Sequence, residues 1–290
     1  MVSISVEEIK REIANRNAKW EARDHPHLRL AEEDVKYTLG VRVDEEHLRS
    51  ALAETQINIE DIIADAVKSA EAVSAPPPHV DWREQNKVTP VKDQRHCGSC
   101  VSFGTTGALE SAVLIEQNKV TDLSEAELFY CGGAGDASCA TGWWPPRAFP
   151  YLHNKGLSQE NCFLYQDHDI PCHTCNDRDK QAIKIKKDVQ IMNVTQRKRY
   201  LSKVGPLIAV FRVYEDFFSY SRGVYSHVAG TFQGGHCVLV VGYDDGDGAW
   251  ICKNSWNTGW GDNGYFKMAY GDRDCGMDTK FPMWGIYGTK

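Results

Sequence analysis

The chain has 290 residues, 42% hydrophobic and 25% charged, which fits a soluble globular protein of about two domains. That composition excludes a largely disordered chain and a small stapled scaffold, because there is enough apolar material for a sizeable core. A net charge of −7 argues against a general nucleic-acid binder, which needs surplus Lys and Arg against phosphate.

Residues from about 5 to 73 read as helical. Ser5 with Glu8 has capping-box spacing, and Val6, Ile9 and Ile13 recur every three or four residues. So do Leu48 and Leu52, then Ile59, Ile62, Ile63, Ala66 and Val67. The opening residues have neither a basic region nor an apolar run, so no secretory leader is visible. Ser74-Ala75-Pro76-Pro77-Pro78 cannot continue a helix and favours an extended spacer, which marks a domain boundary.

Beyond it the chain turns to glycine, aromatics and cysteine. Cys100 to Gln117 reads as a long apolar helix with Phe103, Gly107, Ala108, Ser111, Ala112 and Ile115 on a close-packing face. Ser124 and Glu127 open a second helix, and Trp144 to Asn154 gives a third. After about residue 186 strands dominate: Gly205 to Val213, Cys237 to Tyr243, Ala249 to Lys253 and Gly264 to Met268. The long charge-free run between Arg222 and Asp244 is too rich in glycine and polar residues for a membrane span. A helical half followed by a strand half defines an α+β fold with two lobes.

Cys100 stands at the first turn of its helix, where the helix dipole stabilises thiolate. A thiolate can act as a nucleophile if a base lies nearby. His236 heads the strand Cys237 to Tyr243, and Asn254 follows the strand Ala249 to Lys253. A hairpin through Asp244 to Gly248 would bring imidazole and carboxamide to one end, where Asn254 can orient the ring. Taken singly, Cys100 reads as a buried thiol and His236 as a structural histidine. Their order with Gln94 and Asn254 carries the signal.

Five blocks then define a resemblance. Cys97-Gly-Ser-Cys100, Gly234-Gly235-His236-Cys237-Val238 and Lys253-Asn-Ser-Trp-Asn-Thr-Gly-Trp-Gly261 are three; Val80-Asp-Trp-Arg83 and Val88-Thr-Pro-Val-Lys-Asp-Gln94 precede them. With these, residues 79–290 resemble the papain family of cysteine proteases. The resemblance implies a papain-like two-lobe fold, with a helical left lobe over about 97–185 and a β-barrel-like right lobe over about 186–275. It implies peptide-bond hydrolysis through a thioester, with no cofactor and no metal. Cys100 would be the nucleophile, His236 the acid/base and Asn254 its orienting partner. Gln94 would donate to the oxyanion, a contribution of about 3–4 kcal/mol, and Trp256 would shield the His236–Asn254 pair.

Gly142, Trp143, Trp144 and Gly235 would border the substrate, Trp143 and Trp144 being equally readable as core. Lys280 falls at the floor of the S2 pocket by analogy, where an ammonium disfavours cationic P2 side chains; snorkelling to solvent is the alternative. Four positions depart from the family pattern: Val101 replaces tryptophan, Gly235 replaces Asp or Asn, Asn257 replaces glycine, and Thr141 replaces the first of a glycine pair. His96 reads as a solvated loop residue.

The resemblance implies a Cys97–Cys139 disulfide and a bridge from Cys131 into the Cys162–Cys175 region. The leftover pair, Cys162 with Cys172 or with Cys175, stays open. Cys237 and Cys252 read as core thiols and Cys275 as free. The two C-x-x-C pairs, Cys97/Cys100 and Cys172/Cys175, lie too far apart for a compact zinc ribbon, and no thioredoxin-like pattern precedes the first.

Residues 1–78 contain Ile13-Ala-Asn15-Arg-Asn17-Ala-Lys-Trp20-Glu-Ala22 and Asp34-Val-Lys-Tyr-Thr-Leu-Gly40. These resemble the inhibitory prosegment of cathepsin B-like members, which implies that Trp20 to Gly40 crosses and blocks the cleft, with Asn15, Trp20 and Gly40 as its marks. The alternative is a helical cap that only assists folding. His168 and His173 stand apart, unlike the histidine pair of a dipeptide-trimming exopeptidase, so the expectation is an endopeptidase. The competing class is a catalytically silent peptide-binding protein on the same fold. Expected partners are protein or peptide substrates and the chain's own prosegment, with no nucleic acid, no membrane span and a monomeric state. Cysteine content favours an extracellular, periplasmic or lysosome-like compartment, in tension with the missing leader.

Overall fold

Ser5 opens the first element by accepting the Glu8 amide on its hydroxyl at 3.2 Å, capping α1 (Val6–Asn15). The computed structural model describes residues 4–43, 59–67 and 75–290. The single long helical reading fails after Asn17, whose φ of 52° turns the chain into the left-handed region. There β1 (Trp20–Ala22) buries Trp20 and Ala22 and exposes Glu21, a period-2 pattern. It pairs antiparallel with the strand Tyr220–Tyr225. A 3-10 turn at Pro26–Arg29 and the short α2 (Glu32–Val35) follow, and after a turn at Lys36–Thr38 the chain runs on to Val43, with Val41 in bridges to Trp143 and Gly235. Helix returns in α3 (Ile59–Ala66). The Leu48 and Leu52 expectation lies outside the described residues.

Pro76–Pro78 forms no helix, as expected, and is held: Tyr243 donates its hydroxyl to the Pro77 carbonyl at 2.6 Å, and the Asp245 amide donates to Pro78 at 2.8 Å. It leads into β2 (His79–Asp81). The central element is α4 (Cys100–Gln117), buried on every side from Cys100 to Leu114. That all-round burial, polar Glu110 and Thr106 included, places α4 in the interior, where it packs against the strands Phe232–Asp244 and Met283–Thr289. Around it lie α5 (Glu127–Gly132), wound as a π-helix, then α6 (Pro145–Asn154) and α7 (Arg178–Gln181). Ser124 caps α5's entry by accepting the Glu127 amide at 2.9 Å. The Glu127 carboxylate does not complete a box; it turns inward.

The strand half contains β3 (Ile185–Ile191), α8 (Val194–Lys203), β4 (Leu207–Tyr214) and β5 (Tyr220–Tyr225). It continues with β6 (Phe232–Asp244), β7 (Ala249–Lys253), β8 (Tyr265–Ala269) and β9 (Met283–Thr289). The strand order is β1-β5-β8-β7-β6-β4-β9-β3, with β2 added to β6. Among the described residues no pairing joins β1 to β3, so the sheet is open rather than barrel-like. Near the C-terminus Phe281, Trp284 and Ile286 pack in the same core cluster as Cys100 and Leu109 of α4. The expected hairpin is present, with Asp244 opposite Ala249 and Leu239 opposite Lys253.

Three disulfides join Cys97 to Cys139, Cys131 to Cys172 and Cys162 to Cys175, which resolves the open pairing. Cys237, Cys252 and Cys275 are buried free thiols. Glu127, fully buried, accepts from Arg178 Nε at 2.7 Å, Tyr151 hydroxyl at 3.0 Å and the Ser158 amide and hydroxyl. Removing one member of such a network strands the others without water. Glu127→Ala should therefore lower unfolding stability by about 3–5 kcal/mol, read by urea denaturation.

Candidate active site: a cysteine and a histidine under an N-terminal strap

Strand periodicity sorts β6 into two faces. Cys237, Leu239 and Val241 face α4 and the helical core, while Val238 and Val240 face the aromatic core of the sheet lobe. His236 lies within β6, not at its head, and is fully buried beside Phe211. Its Nε2 meets Asn254 Oδ1 at 2.7 Å, and the same oxygen accepts the Ser255 amide at 2.8 Å. An atom that accepts a backbone N–H must be the carboxamide oxygen, so Nε2 carries the ring proton. Nδ1 is left as a bare lone pair, buried with no hydrogen-bond partner among the described residues. Trp256 stacks on the ring at a centroid distance of 4.7 Å.

Cys100 is the first residue of α4, and its Sγ accepts the Cys237 amide at 3.4 Å. Sulfur and imidazole thus lie against consecutive residues of β6, without a direct hydrogen bond. Gln94 is also buried; its Oε1 accepts the Ser255 hydroxyl at 2.6 Å and its Nε2 donates to Cys97 O at 2.9 Å.

The second acceptor of Gln94 Nε2 belongs to the N-terminal segment. It is the Thr38 carbonyl, at 3.1 Å, which also accepts Trp256 Nε1 at 3.0 Å. The segment then threads both lobes. Gly40 and Val41 donate their amides to Gly235 O at 3.1 and 3.0 Å, and Gly40 O accepts the Trp143 amide at 2.8 Å. Glycine is required here by close approach. A Cβ on Gly40 would lie 2.1 Å from Gly98 O, and one on Gly142 (φ +68°) would lie 2.1 Å from Gly40 O. A Cβ on Gly235 would lie 2.5 Å from Val41 O, so the missing acidic residue at that position leaves room for the strap.

The expected crossing from Trp20 to Gly40 is shorter in the structure. Trp20 is an anchor in β1, 5.1 Å from Tyr225, while His27 meets Trp256 and the stretch from Thr38 to Val41 hydrogen-bonds the cleft residues. Asn15 is exposed on α1 and bonds Glu12. Sequence reasoning missed the side chains between these points. His27 stacks on Trp256 at 4.9 Å and on His25 at 4.7 Å. His96, expected to be merely solvated, packs tilted against Tyr37 at a centroid distance of 4.3 Å and faces Asp34 at 3.8 Å. Thr38 and Val41 act through their backbones, which no residue type announces; the His25-Pro26-His27 run was legible but unread.

Trp143 and Trp144 are both buried. Trp143 bonds Asp136 through its indole N–H at 2.9 Å, and Trp144 packs edge-on against Trp284 at 5.5 Å, as core. Lys280 lays its stem over Gly276, beside the loop that buried Arg197 holds through the Met277 and Phe281 carbonyls. Val101 is core, and Thr141 Oγ1 bonds Ser138 Oγ at 2.8 Å. Asn257 has φ 51°, a conformation asparagine tolerates better than most residues, which explains how it stands in for glycine.

Burial sets the charges. The Cys100 thiol is pushed up to about 12 by desolvation, which outweighs the backbone donors of Cys237, Val101 and Cys100 itself. This reverses the expected helix-dipole effect. Burial lowers His236 to about 4 against the opposing Asn254 bond. In this state both groups are neutral.

The model of the papain family cysteine proteases matches residues 76–283, and the chain belongs to that family. It is 38% identical to mouse pro-cathepsin H over 211 residues, 69% of this chain and 62% of that protein. It is 35% identical to Arabidopsis thaliana thiol protease aleurain over 253 residues, 84% and 71% of the two chains. The chain thus spans about three fifths of the length of mouse pro-cathepsin H. Among solved structures, procathepsin B S9 from Trypanosoma congolense superposes with a TM-score of 0.82 at 21% identity, covering 99% of each chain. Digestive procathepsin L2 of Tenebrio molitor gives 0.80 at 26% identity, covering 98% of this chain and 89% of that one.

Two outcomes test the strap's geometry. Gly40→Ala cannot seat against Gly98, so the full-length protein should alkylate faster at Cys100, about tenfold or more, by mass-resolved labelling; Thr38→Ala should raise the rate less, because Gln94 and Trp256 hold the Thr38 carbonyl while its hydroxyl bonds only to Val35 O within the strap, at 3.0 Å. The second concerns pH. Burial, then His25 and His236, depresses His27 to about 3; His25 is lowered by burial and Arg23 against Asp24. A released strap has ordinary histidines near 6.5 and binds protons better, so docking is full above about 6.5 and weakens as pH falls towards about 3. Protection factors of the Gly40 and Val41 amides should fall over that window, and His27→Phe should flatten the fall.

Proposed function

We propose that the chain is a cysteine endopeptidase made as a zymogen, and that residues up to Val43 are its inhibitory strap. The observation that carries this reading is the strap's Thr38 carbonyl, gripped by Gln94 Nε2 and Trp256 Nε1. A carbonyl oxygen in that grip is a stand-in for the oxygen of a scissile peptide bond. With the strap gone, water and substrate reach the site, and the desolvation that keeps Cys100 protonated is relieved. The thiol proton passes to His236 Nδ1, the ring nitrogen with a free lone pair, while Asn254 holds Nε2–H. Sulfur attacks the peptide carbonyl, the oxyanion takes the Gln94 amide, and His236 returns the proton to the leaving amine. Water then cleaves the thioester by the same relay.

Val101 and Gly235 are smaller than the family's usual residues but remove no reacting atom, which supports activity over a silent peptide-binding role. Gly142, Trp143 and Gly235 line the strap's path, which supports a role in holding substrate backbone. Lys280 as the S2 floor stays a proposal: a peptide library would show acidic P2 favoured over Arg, and a strong Arg preference would sink it. The three disulfides support an oxidising compartment.

Cleavage of a fluorogenic peptide is the direct test. Strap-free protein should turn over substrate and full-length protein should not. Cys100→Ser should lose on the order of 10⁴-fold or more of kcat/KM while keeping peptide affinity. Equal activity with and without the strap would refute autoinhibition.

A further inference from the structure

We propose that α3 is a permanent part of the peptidase, docked on a face remote from the cleft, and that it stays when the strap is removed. The inference builds on the proposed inhibitory strap, and it redraws the boundary expected at residue 78. Strap and α3 grip different surfaces. The strap's partners are Gly235, Trp143 and Trp256 in the cleft. The partners of α3 lie on α8, β3 and β9. Ile59, Ile62 and Ile63 are 4%, 0% and 1% exposed within the sheet lobe's core. Glu60 pairs with Arg199 of α8, and Asp65 faces Lys187 of β3 at 3.9 Å and Tyr287 of β9.

Distance separates the two roles. Ala66 shares a cavity wall with Ile115, Val204 and Tyr287. Ile115 is fifteen residues along α4 from Cys100, about 22 Å at 1.5 Å per residue. A helix there cannot block the cleft. It does cover apolar surface that would otherwise face water on Val204 and its neighbours, and a patch of that kind is a liability in a monomer. The chain on its C-terminal side leads through Pro76–Pro78 into β2, which is hydrogen-bonded to β6 from His79 to Asp81. So α3 is tied covalently and by packing to the lobe it covers.

The test needs no catalysis, so it is decided separately from the peptidase reading, which active-site alkylation of the wild-type chain judges. Full-length protein carrying Cys100→Ala is digested with trace subtilisin, and the surviving core is read by intact mass. The expected core has its N-terminus at or before Ile59; a core beginning beyond Ala66 overturns the inference. Ile62→Asp should lower the core's melting midpoint by about 5 °C or more, and the milder Ile62→Val by about 2 °C. Leu39→Asp, on the strap, should leave the core's midpoint unchanged. Midpoints unmoved by both Ile62 variants would likewise overturn it.

Discussion

Backbone-to-backbone contact in the cleft governs this molecule. A chain can lie between Gly98 and Gly142 only where no side chain projects, and Gly40 meets that condition. Seating it aligns the amides of Gly40 and Val41 with the Gly235 carbonyl and sets the Thr38 carbonyl between Gln94 and Trp256. Four glycines from four separate parts of the chain, Gly40, Gly98, Gly142 and Gly235, thus convert shape into hydrogen-bond register. The anchors at Trp20 and His27 hold the strap on the sheet lobe, but the glycine contact decides what enters the site.

Burial also explains the charge state of the cysteine and histidine. Helix dipole and backbone donors favour thiolate, yet a sealed site lacks the solvent that makes an ion pair tolerable. Desolvation wins, and Cys100 and His236 stay neutral. In the proposed reading the strap would act twice, by occupying the cleft and by withholding the water that ionisation needs. Histidines in the strap feel the same burial, which ties occupancy to proton concentration through the strap itself.

Much of this was readable in the sequence, and the limits are physical. The helix at Cys100, the hairpin carrying His236 and Asn254, and the Cys97–Cys139 bridge follow from local patterns and family blocks. The strand β1 was hidden because three residues carry little periodicity, and its Trp20 fits a helical register as well as a strand. β3 and β9 pair across nearly 100 residues, so neither announces its partner. The strap's grip was invisible for a different reason: carbonyls and amides have no letter in the alphabet. The Cys162–Cys175 choice needed coordinates, since Cys172 and Cys175 are close enough in sequence for either to serve.

All three disulfides fall between Cys97 and Cys175, within the helical lobe, while the sheet lobe keeps Cys237, Cys252 and Cys275 as thiols. The halves of the protein are therefore secured by unlike means, one by covalent loops and the other by strand pairing and aromatic packing. A reducing milieu would slacken the wall that carries Cys100 and leave the opposite wall, with its histidine, intact. Loss of function by reduction would then precede loss of the sheet, a staged failure written into where the cross-links sit.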